Sequence, residues 1–543
     1  MATLGQKLGE LRGNFWAAVV TVLLAAAGFR AVLLWHGAFP FNADEAVVGL
    51  MARHVLQGDL PIFFYGQAYL GSLDALLVAA GFAVSGPSVL VIRVVQVAIY
   101  LATILTTMLL TREIGLPTRT SAVAGLLLAV PPVLVTLYTT VSLGGYGEAL
   151  LLGSLILLVT LRMIRSSPTA LAVGGWGVLS GFALWTFGLT LVYSIPGGVF
   201  LLGAALRGIP TRAKLGKISA LTLGVMAGAL PMLLWAAAHG PSALFQELLG
   251  SAIAGASPSD LPSAIGLHLV NLVLFAPTVV FGLRPPWDIV ALGMPLTPII
   301  AALWIAALAR GVRQTSWPAG GRAGRWLLGG VASLTVAGFL LTGFGADPSG
   351  RYFLPVFQAL AIFAAAGVTA WTTRFRPAVI GLLFGLVIGF NLWSNLQVAN
   401  KSPFFTTQFD AATRYDHRYD DQLVAFLEER GERTGYATYW VAYPMAFLSQ
   451  ERLVYLPHLP YHSDFRYTER DDRYPPYREI VAESGTVAYV TARQPWLDRV
   501  ISRRLIEMGI DFEETDIGDF HVFHNLAAPV RPEAIGLGPG AAP

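Results

Sequence analysis

The chain has 543 residues, of which 55% are hydrophobic and 13% charged, with a mean hydropathy of +0.61; an ordinary soluble domain of this length is excluded, and bilayer is the solvent that fits. The formal net charge is +3, but within the apolar part of the chain most Lys and Arg stand in short loops between apolar stretches, where insertion bias accounts for them, so nucleic acid is not indicated as a partner. With no cysteine, disulfides, thiolate metal sites and cysteine nucleophiles are excluded together.

The first apolar run follows Lys7 and Arg12 and extends to about Trp35, too long for a signal-peptide core; it reads as an uncleaved first span with its N-terminus in the cytoplasm. Stretches near the roughly 20 residues that a span requires recur at 88–110, 121–140, 146–164, 170–187, 189–206, 218–238, 264–283, 289–309, 326–344, 350–370 and 377–396. Basic residues cluster in loops expected in the cytoplasm: Arg112 and Arg119, Arg162 and Arg165, Arg207 to Lys217, Arg310 to Arg325, and Arg374 with Arg376. The complementary loops hold Asp44, Glu45, Asp59, Asp74, Glu148, Glu247, Asp260, Asp288 and Asp347, and are expected outside. If both 264–283 and 289–309 crossed, Arg310 to Arg325 would fall outside and break this alternation. A re-entrant or surface segment within the proline-rich 239–288 restores it and leaves about eleven spans, within roughly 10–13.

The expected fold is therefore a polytopic α-helical membrane protein with extracytoplasmic surface helices, followed by a small α/β soluble domain. Its parts are a transmembrane domain at 1–396 with an outward loop at 37–87, an extracytoplasmic domain at 397–528, and a disordered Pro/Gly/Ala tail at 529–543.

The outward loop, FPFNADEAVVGLMARHVLQGDLPIFFYGQAYLGSLDALLVAAGFAVSG, is too polar at its start to span and too apolar to float in water. Residues 44–56 read as an amphipathic helix lying along the membrane surface. Asn42 can cap it, Asp44 and Glu45 fall in its first turn, and Val47, Val48, Leu50 and Met51 supply apolar surface. A second such helix is expected from near Tyr69 and holds Asp74. Two adjacent carboxylates just beyond a span suit an enzyme that takes a proton from an acceptor hydroxyl at the bilayer surface; the helix dipole alone also favours acids there.

Farther along, TLYTTVSLGGYGEALLLG places Gly144, Gly145 and Gly147 beside Tyr146 and Glu148, so that tight turns carry an acid to the mouth of the bundle. That acid reads either as a plain helix-start residue or as a group contacting acceptor or sugar hydroxyls. Arg30 and Arg93 lie within or near spans, where ionisable groups face a cavity or a partner. Either can aid a phosphate; Arg93 can equally snorkel, and Arg30 can pair with an acid of the first loop. His54, His239 and His268 lack zinc spacing, and no structural metal is expected.

Beyond about Asn400 the text alternates helix-like and strand-like, as in QLVAFLEERGER and GTVAYVTA, and reads as a small α/β domain. It has no glycine-rich phosphate loop, so nucleotide is not expected. Asp519, His521 and His524 alternate along a strand, read as an edge strand in preference to a metal site. The stretch YLPHLPYHSDFRYTERDDRYPPY is either a glycan-contacting surface or a loop packed on the membrane domain.

The first loop, WHGAFPFNADEAVVGLMARHVLQGDLPIFFYGQAYLGSLDALLVA, together with Arg351-Tyr352 and Pro355 in FGADPSGRYFLPVF, resembles the GT-C fold membrane glycosyltransferases. The branch is that of the protein O-mannosyltransferases and lipid A aminoarabinose transferases, the glycosyltransferase family 39-like enzymes. The resemblance covers roughly 15–396 in layout and only short pieces in residues. It implies that Asp44-Glu45 is the family's acidic pair, with Asp44 the catalytic base and Glu45 orienting it or binding acceptor. It further implies that Arg351, Tyr352 and Arg93 bind the donor phosphate, for which an arginine's planar fork is suited; a snorkelling interface arginine is the alternative. Glu148, Tyr146 and Tyr65 become contacts to acceptor or sugar.

The implied function is transfer of a hexosyl or pentosyl group from a polyprenyl-phosphate donor to a lipid, glycan or protein acceptor at the outer face of the cytoplasmic membrane. In-line displacement with inversion is the expected course. No cofactor is expected to be required, although paired outward acids can hold Mg²⁺ or Mn²⁺, as in some oligosaccharyltransferase relatives. Two other classes share the hydropathy. A secondary transporter would place ionisable groups at the midplane, and a lipid-binding or flippase-like component of envelope glycan assembly would bind lipid without turnover.

Overall fold

The structure is a computed structural model that describes residues 2–250, 260–314, 317, 321–462 and 464–540. The chain forms two compact units. One comprises Met1–Phe39, Tyr69–Leu73 and Arg93–Phe405, and the other Pro40–Ala68, Asp74–Ile92 and Thr406–Pro543. The first-loop helices are thus grouped with the C-terminal part of the chain.

The first unit is a bundle of apolar helices. Among the described residues, eight helices are long and apolar enough to cross a membrane: Asn14–Trp35, Val89–Glu113, Tyr146–Met163, Gly188–Ala205, Leu261–Val280, Gly321–Leu341, Arg351–Trp371 and Pro377–Ala399. Thr211–Gly228 and Leu230–His239, bent by 70°, make a ninth if they count as one span. The polytopic membrane class is the expected one, while the number of such helices falls below about eleven for local reasons. The stretch 121–140 is broken into Thr118–Ala129 and Val133–Tyr138, because Pro131 and Pro132 remove two backbone donors. Asn391 Nδ2 donates to the Val130 carbonyl and Asn395 Nδ2 to that of Pro131, both at 2.9 Å, as an apolar surrounding demands. Ala170–Thr186 closes after 17 residues, and 289–309 is helical only from Thr297, also giving 17. The expected re-entrant segment falls partly on residues 251–259, outside the described residues.

Helices Ala170–Thr186 and Thr211–Gly228 touch backbone to backbone. A Cβ on Gly181 would lie 2.1 Å from the Val225 carbonyl oxygen, and one on Gly228 would lie 2.1 Å from that of Val178. Small residues permit this approach where lipid removes the hydrophobic drive between helices. Arg30 does not pair with a first-loop acid. It is fully buried, its guanidinium lies 4.0 Å over the Tyr100 ring, and Nη2 donates to Thr139 Oγ1 at 2.8 Å.

In the second unit, a five-stranded sheet runs in the order Val454–Leu456, Thr434–Ala437, Ala488–Ala492, Phe520–His524, Glu513–Ile517. The first three strands are parallel and the last two join antiparallel. Leu423 and Leu427 of helix Asp420–Arg430 and Val441 and Met445 of helix Tyr439–Leu448 form its core with Tyr455, Val490 and Val522. The strand carrying His521 and His524 is interior, not an edge; Glu513–Ile517 is the edge, because the turn at Gly518 folds it back outside. His524 bonds Thr515 and His521 bonds Asp516.

Helix Ala43–Gln57 begins where Asn42 accepts from the Asp44 backbone N–H at 2.8 Å and ends at Gly58 with φ +101°, as a capped helix should. Val47, Val48, Leu50 and Met51, the face expected to lie along the bilayer, are buried within the protein. A Cβ on Gly49 would lie 2.5 Å from the Phe447 ring, so this helix packs directly on Tyr439–Leu448. The second first-loop helix starts at Leu73, four residues later than Tyr69, because a short strand, Gln67–Gly71, precedes it. The segment expected to be a disordered tail is packed as far as Gly538: the Val530 carbonyl accepts from Tyr489 at 2.7 Å, and Ile535, Leu537 and Gly538 are buried. These apolar anchors among the Gly, Pro and Ala offset the entropy of ordering.

Candidate active site

The acidic pair opens helix Ala43–Gln57 in the second unit. Asp44 is partly exposed and Glu45 fully buried. The Tyr439 hydroxyl donates to Asp44 Oδ1 at 2.5 Å, and Arg473 Nη2 stands 3.7 Å from the same oxygen. Burial holds the Tyr439 phenol well above its ordinary range, with the Asp44 charge adding and Arg473 opposing; it therefore remains a donor to the carboxylate. Arg473 is buried, its guanidinium 5.3 Å from the Tyr439 ring and 5.8 Å from the Phe64 ring. Asp471, two residues earlier, is also buried, and burial pushes its carboxyl up to about 7 against the pull of Arg473 and a hydrogen bond to Tyr461.

Tyr65 belongs to the other end of this helix. Its hydroxyl meets His54 Nδ1 at 2.9 Å, its ring stacks on Tyr474 at 4.7 Å, and His54 Nε2 meets Glu451 at 2.8 Å. His54 lies ten residues beyond Asp44, roughly 15 Å along the helix axis, so Tyr65 is not brought to the acidic pair.

In the first unit, Arg351 opens a late membrane helix. The turn before it is built by Asp347, which accepts from the Ser349 backbone N–H at 2.7 Å, and by Gly350 at φ +79°. Asp347 also meets Arg351 Nε at 2.6 Å; its side chain is 3% exposed, whereas that of Arg351 is 22% exposed. The guanidinium lies 5.0 Å over the Tyr352 ring, and Tyr138 and Tyr146 surround it electrostatically. Arg351, Tyr352 and Tyr146 are thus brought together. Glu148, two residues beyond Tyr146 in the same helix, is buried, and its Oε1 accepts from Gln96 at 3.2 Å. Arg93 lies over the Phe39 ring at 6.0 Å.

An apolar groove with a volume of about 520 Å³ is lined by Tyr69, Phe187, Ile195, Phe245, Phe339 and Tyr352, the residue after Arg351, among others. Among the described residues, no group of three or more His, Asp or Glu side chains is placed to hold a metal ion.

No protein-family model matches the sequence, and no curated protein matches it. Solved structures match it in fold. ArnT from Cupriavidus metallidurans, bound to undecaprenyl phosphate, superposes with a TM-score of 0.55 at 14% identity, over 95% of this chain and 98% of ArnT. This chain has the GT-C fold. A second GT-C structure, the arabinofuranosyltransferase AftD from Mycobacteria, matches with a TM-score of 0.50 at 14% identity, over 94% of this chain and 39% of AftD.

On this GT-C chain, reading the sequence missed Tyr439, Arg473 and Asp471. A signal for two of them was present: the run Arg470-Asp471-Asp472-Arg473-Tyr474 is the densest charge in the Tyr-rich stretch, and charged side chains that become buried among aromatic rings must be paired. Nothing around Tyr439 distinguishes it from other tyrosines.

Proposed function

We propose that this multi-pass membrane protein is a glycosyltransferase that moves a hexosyl or pentosyl group from a polyprenyl-phosphate donor to an acceptor at the outer face of the cytoplasmic membrane. The observation that carries this reading is a partly exposed arginine, Arg351, at the head of a membrane helix beside an apolar groove of about 520 Å³. That is what an anionic head on a long apolar tail requires. The structure of ArnT bound to undecaprenyl phosphate supports it, and a secondary transporter has no comparable support.

In this reading the Asp44 carboxylate takes the proton of the acceptor hydroxyl. The acceptor oxygen then bonds to the anomeric carbon from the face opposite the phosphate. The carbon–oxygen bond to phosphate breaks, and polyprenyl phosphate leaves with the electron pair. Arg351 stabilises that anion through the edge of its fork away from Asp347, with Tyr352 beneath it. The leaving group is already an anion, so no strong general acid is needed. Tyr439 and Arg473 orient Asp44. Glu45 keeps the helix start in place, and Glu148 and Tyr146 are proposed to contact acceptor or sugar.

The test is release of polyprenyl phosphate from labelled polyprenyl-phosphate mannose by purified protein; a transporter or a lipid-binding component releases none. The groove gives a sharper form of it. Ala337→Trp, which fills the groove from its lining, is expected to raise the donor KM at least tenfold for long-chain donors and to leave short-chain donors nearly unchanged. Equal effects on both chain lengths count against the groove as the lipid site. For topology, Glu483 is exposed in the second unit and the chain has no native cysteine. Glu483→Cys is expected to react with an impermeant thiol reagent on intact cells. Labelling only after lysis would put the second unit in the cytoplasm.

A further inference from the structure

Arg284 has no part in the mechanism above, yet it is buried in the first unit. Its Nε donates to Thr278 Oγ1 at 3.0 Å. Nη1 donates to the carbonyls of Pro285, Pro286 and Asp288 at 3.0, 3.4 and 2.9 Å, and Nη2 to those of Phe275 and Pro348 at 3.3 and 2.9 Å. Every one of these partners is an uncharged oxygen, so what the arginine supplies here is its fork of five donors. The loop it closes needs them, because Pro285 and Pro286 are buried and have no N–H of their own, and buried carbonyls must find donors. The contact to Pro348 reaches across 64 residues into the turn that precedes Arg351. Pro348 stands between Asp347 and Ser349, the pair that builds that turn. Two more bonds from the same stretch of chain run alongside: Asn271 Nδ2 donates to the Gly345 carbonyl at 2.8 Å, and His268 Nδ1 meets the Leu340 carbonyl at 2.9 Å. Behind the turn, a Cβ on Gly350 would lie 3.3 Å from Val279.

We infer that Arg284 is a positioning residue for Arg351, holding by the Pro348 carbonyl the turn that aims the Arg351 fork. Asp347 fixes Arg351 from within the turn, through Nε at 2.6 Å. Arg284 fixes the turn itself, tying it to the loop 284–288 and to Phe275 in the helix Leu261–Val280. A productive contact needs its donors held to about 0.5 Å, and a turn tied only to itself is free to rock on its ends. Lysine cannot do the same work, since three donors on one nitrogen do not reach Phe275, Asp288 and Pro348 at once. The activity arm of this inference rests on the reading of Arg351 as the donor-phosphate group; an amide-exchange arm does not.

The experiment compares full-length wild type, Arg284→Gln, Arg284→Lys, the neutral pair Asp347→Asn/Arg351→Gln, and that pair combined with Arg284→Gln. Backbone amide exchange is read over residues 344–353, where Asp347 holds the Ser349 N–H. Arg284→Gln is expected to speed it by about tenfold or more, the worth of one lost charge-assisted bond, while exchange in helix Tyr439–Leu448 stays at the wild-type rate. The donor KM for polyprenyl-phosphate mannose is expected to rise about tenfold in Arg284→Gln. Added to the neutral pair, the same substitution should change KM by less than about twofold, because the turn then has no fork to aim. An arginine that merely supports the fold would act equally in both backgrounds. Arg284→Lys keeps the charge without the fork and should follow Arg284→Gln in both readouts. Where the glutamine variant does not purify as a monodisperse protein, the lysine variant carries both measurements, alone and with the neutral pair. Unchanged exchange over 344–353, effects on KM that multiply, or a lysine variant indistinguishable from wild type overturns the inference. If wild type releases no polyprenyl phosphate, the glycosyltransferase reading falls and exchange alone decides.

Discussion

Asp44→Asn is expected to yield a folded, monodisperse protein whose release of polyprenyl phosphate falls by roughly 10² to 10⁴, the range for loss of a general base. The substitution is chosen to preserve everything except basicity. The Asp44 backbone N–H still caps onto Asn42, and the Tyr439 hydroxyl can donate to the new amide oxygen as it does to the carboxylate. Arg473 loses one of its two acids and keeps the other, Asp471, so the buried cation is not stranded. That matters because an uncompensated buried charge costs about 3–5 kcal/mol and would confuse misfolding with lost catalysis. If Asp44 is only a favourable first-turn acid, its removal changes helix stability by about 0.3–1 kcal/mol and turnover hardly at all. Activity within about threefold of wild type, far short of a general-base effect, would return Asp44 to the status of a helix-start residue.

The second large effect is expected at Arg351, and the plain alanine variant is the wrong instrument. Asp347 is 3% exposed and meets Arg351 Nε at 2.6 Å; deleting the arginine leaves that carboxylate buried without its cation. The double variant Asp347→Asn/Arg351→Gln removes both charges, and the amide oxygen introduced by Asp347→Asn still accepts from the Ser349 backbone N–H. Losing a dehydrated charge-assisted contact to phosphate costs about 2–5 kcal/mol, so the donor KM should rise about 30-fold or more. The same neutral pair tests the snorkelling alternative, in which the arginine serves lipid headgroups in general and donor KM stays at the wild-type value. An unchanged KM with normal kcat would remove Arg351 from the site.

What the sequence determined on its own was whatever depends on neighbours along the chain. Hydropathy settles the membrane class because each apolar stretch must satisfy its own backbone groups in lipid. Asn42-Ala43-Asp44-Glu45 announces a helix start because cap and dipole act within one turn. The turn before Arg351-Tyr352 is local as well, since its partners Asp347 and Ser349 lie within four residues of Arg351. Tertiary structure decided whatever depends on pairing across the chain. The bond from Tyr439 to Asp44 joins residues 395 apart, and nothing local marks that tyrosine. Arg473 and Asp471 acquire their meaning from burial beside Asp44, a matter of desolvation and nearby charge that no window of sequence contains. The amphipathic helix shows the division most directly. Its periodicity identifies an apolar face at Val47, Val48, Leu50 and Met51, but a face of that kind is equally content against lipid or against protein. Only the fold, which brings Phe447 against Gly49, chose protein.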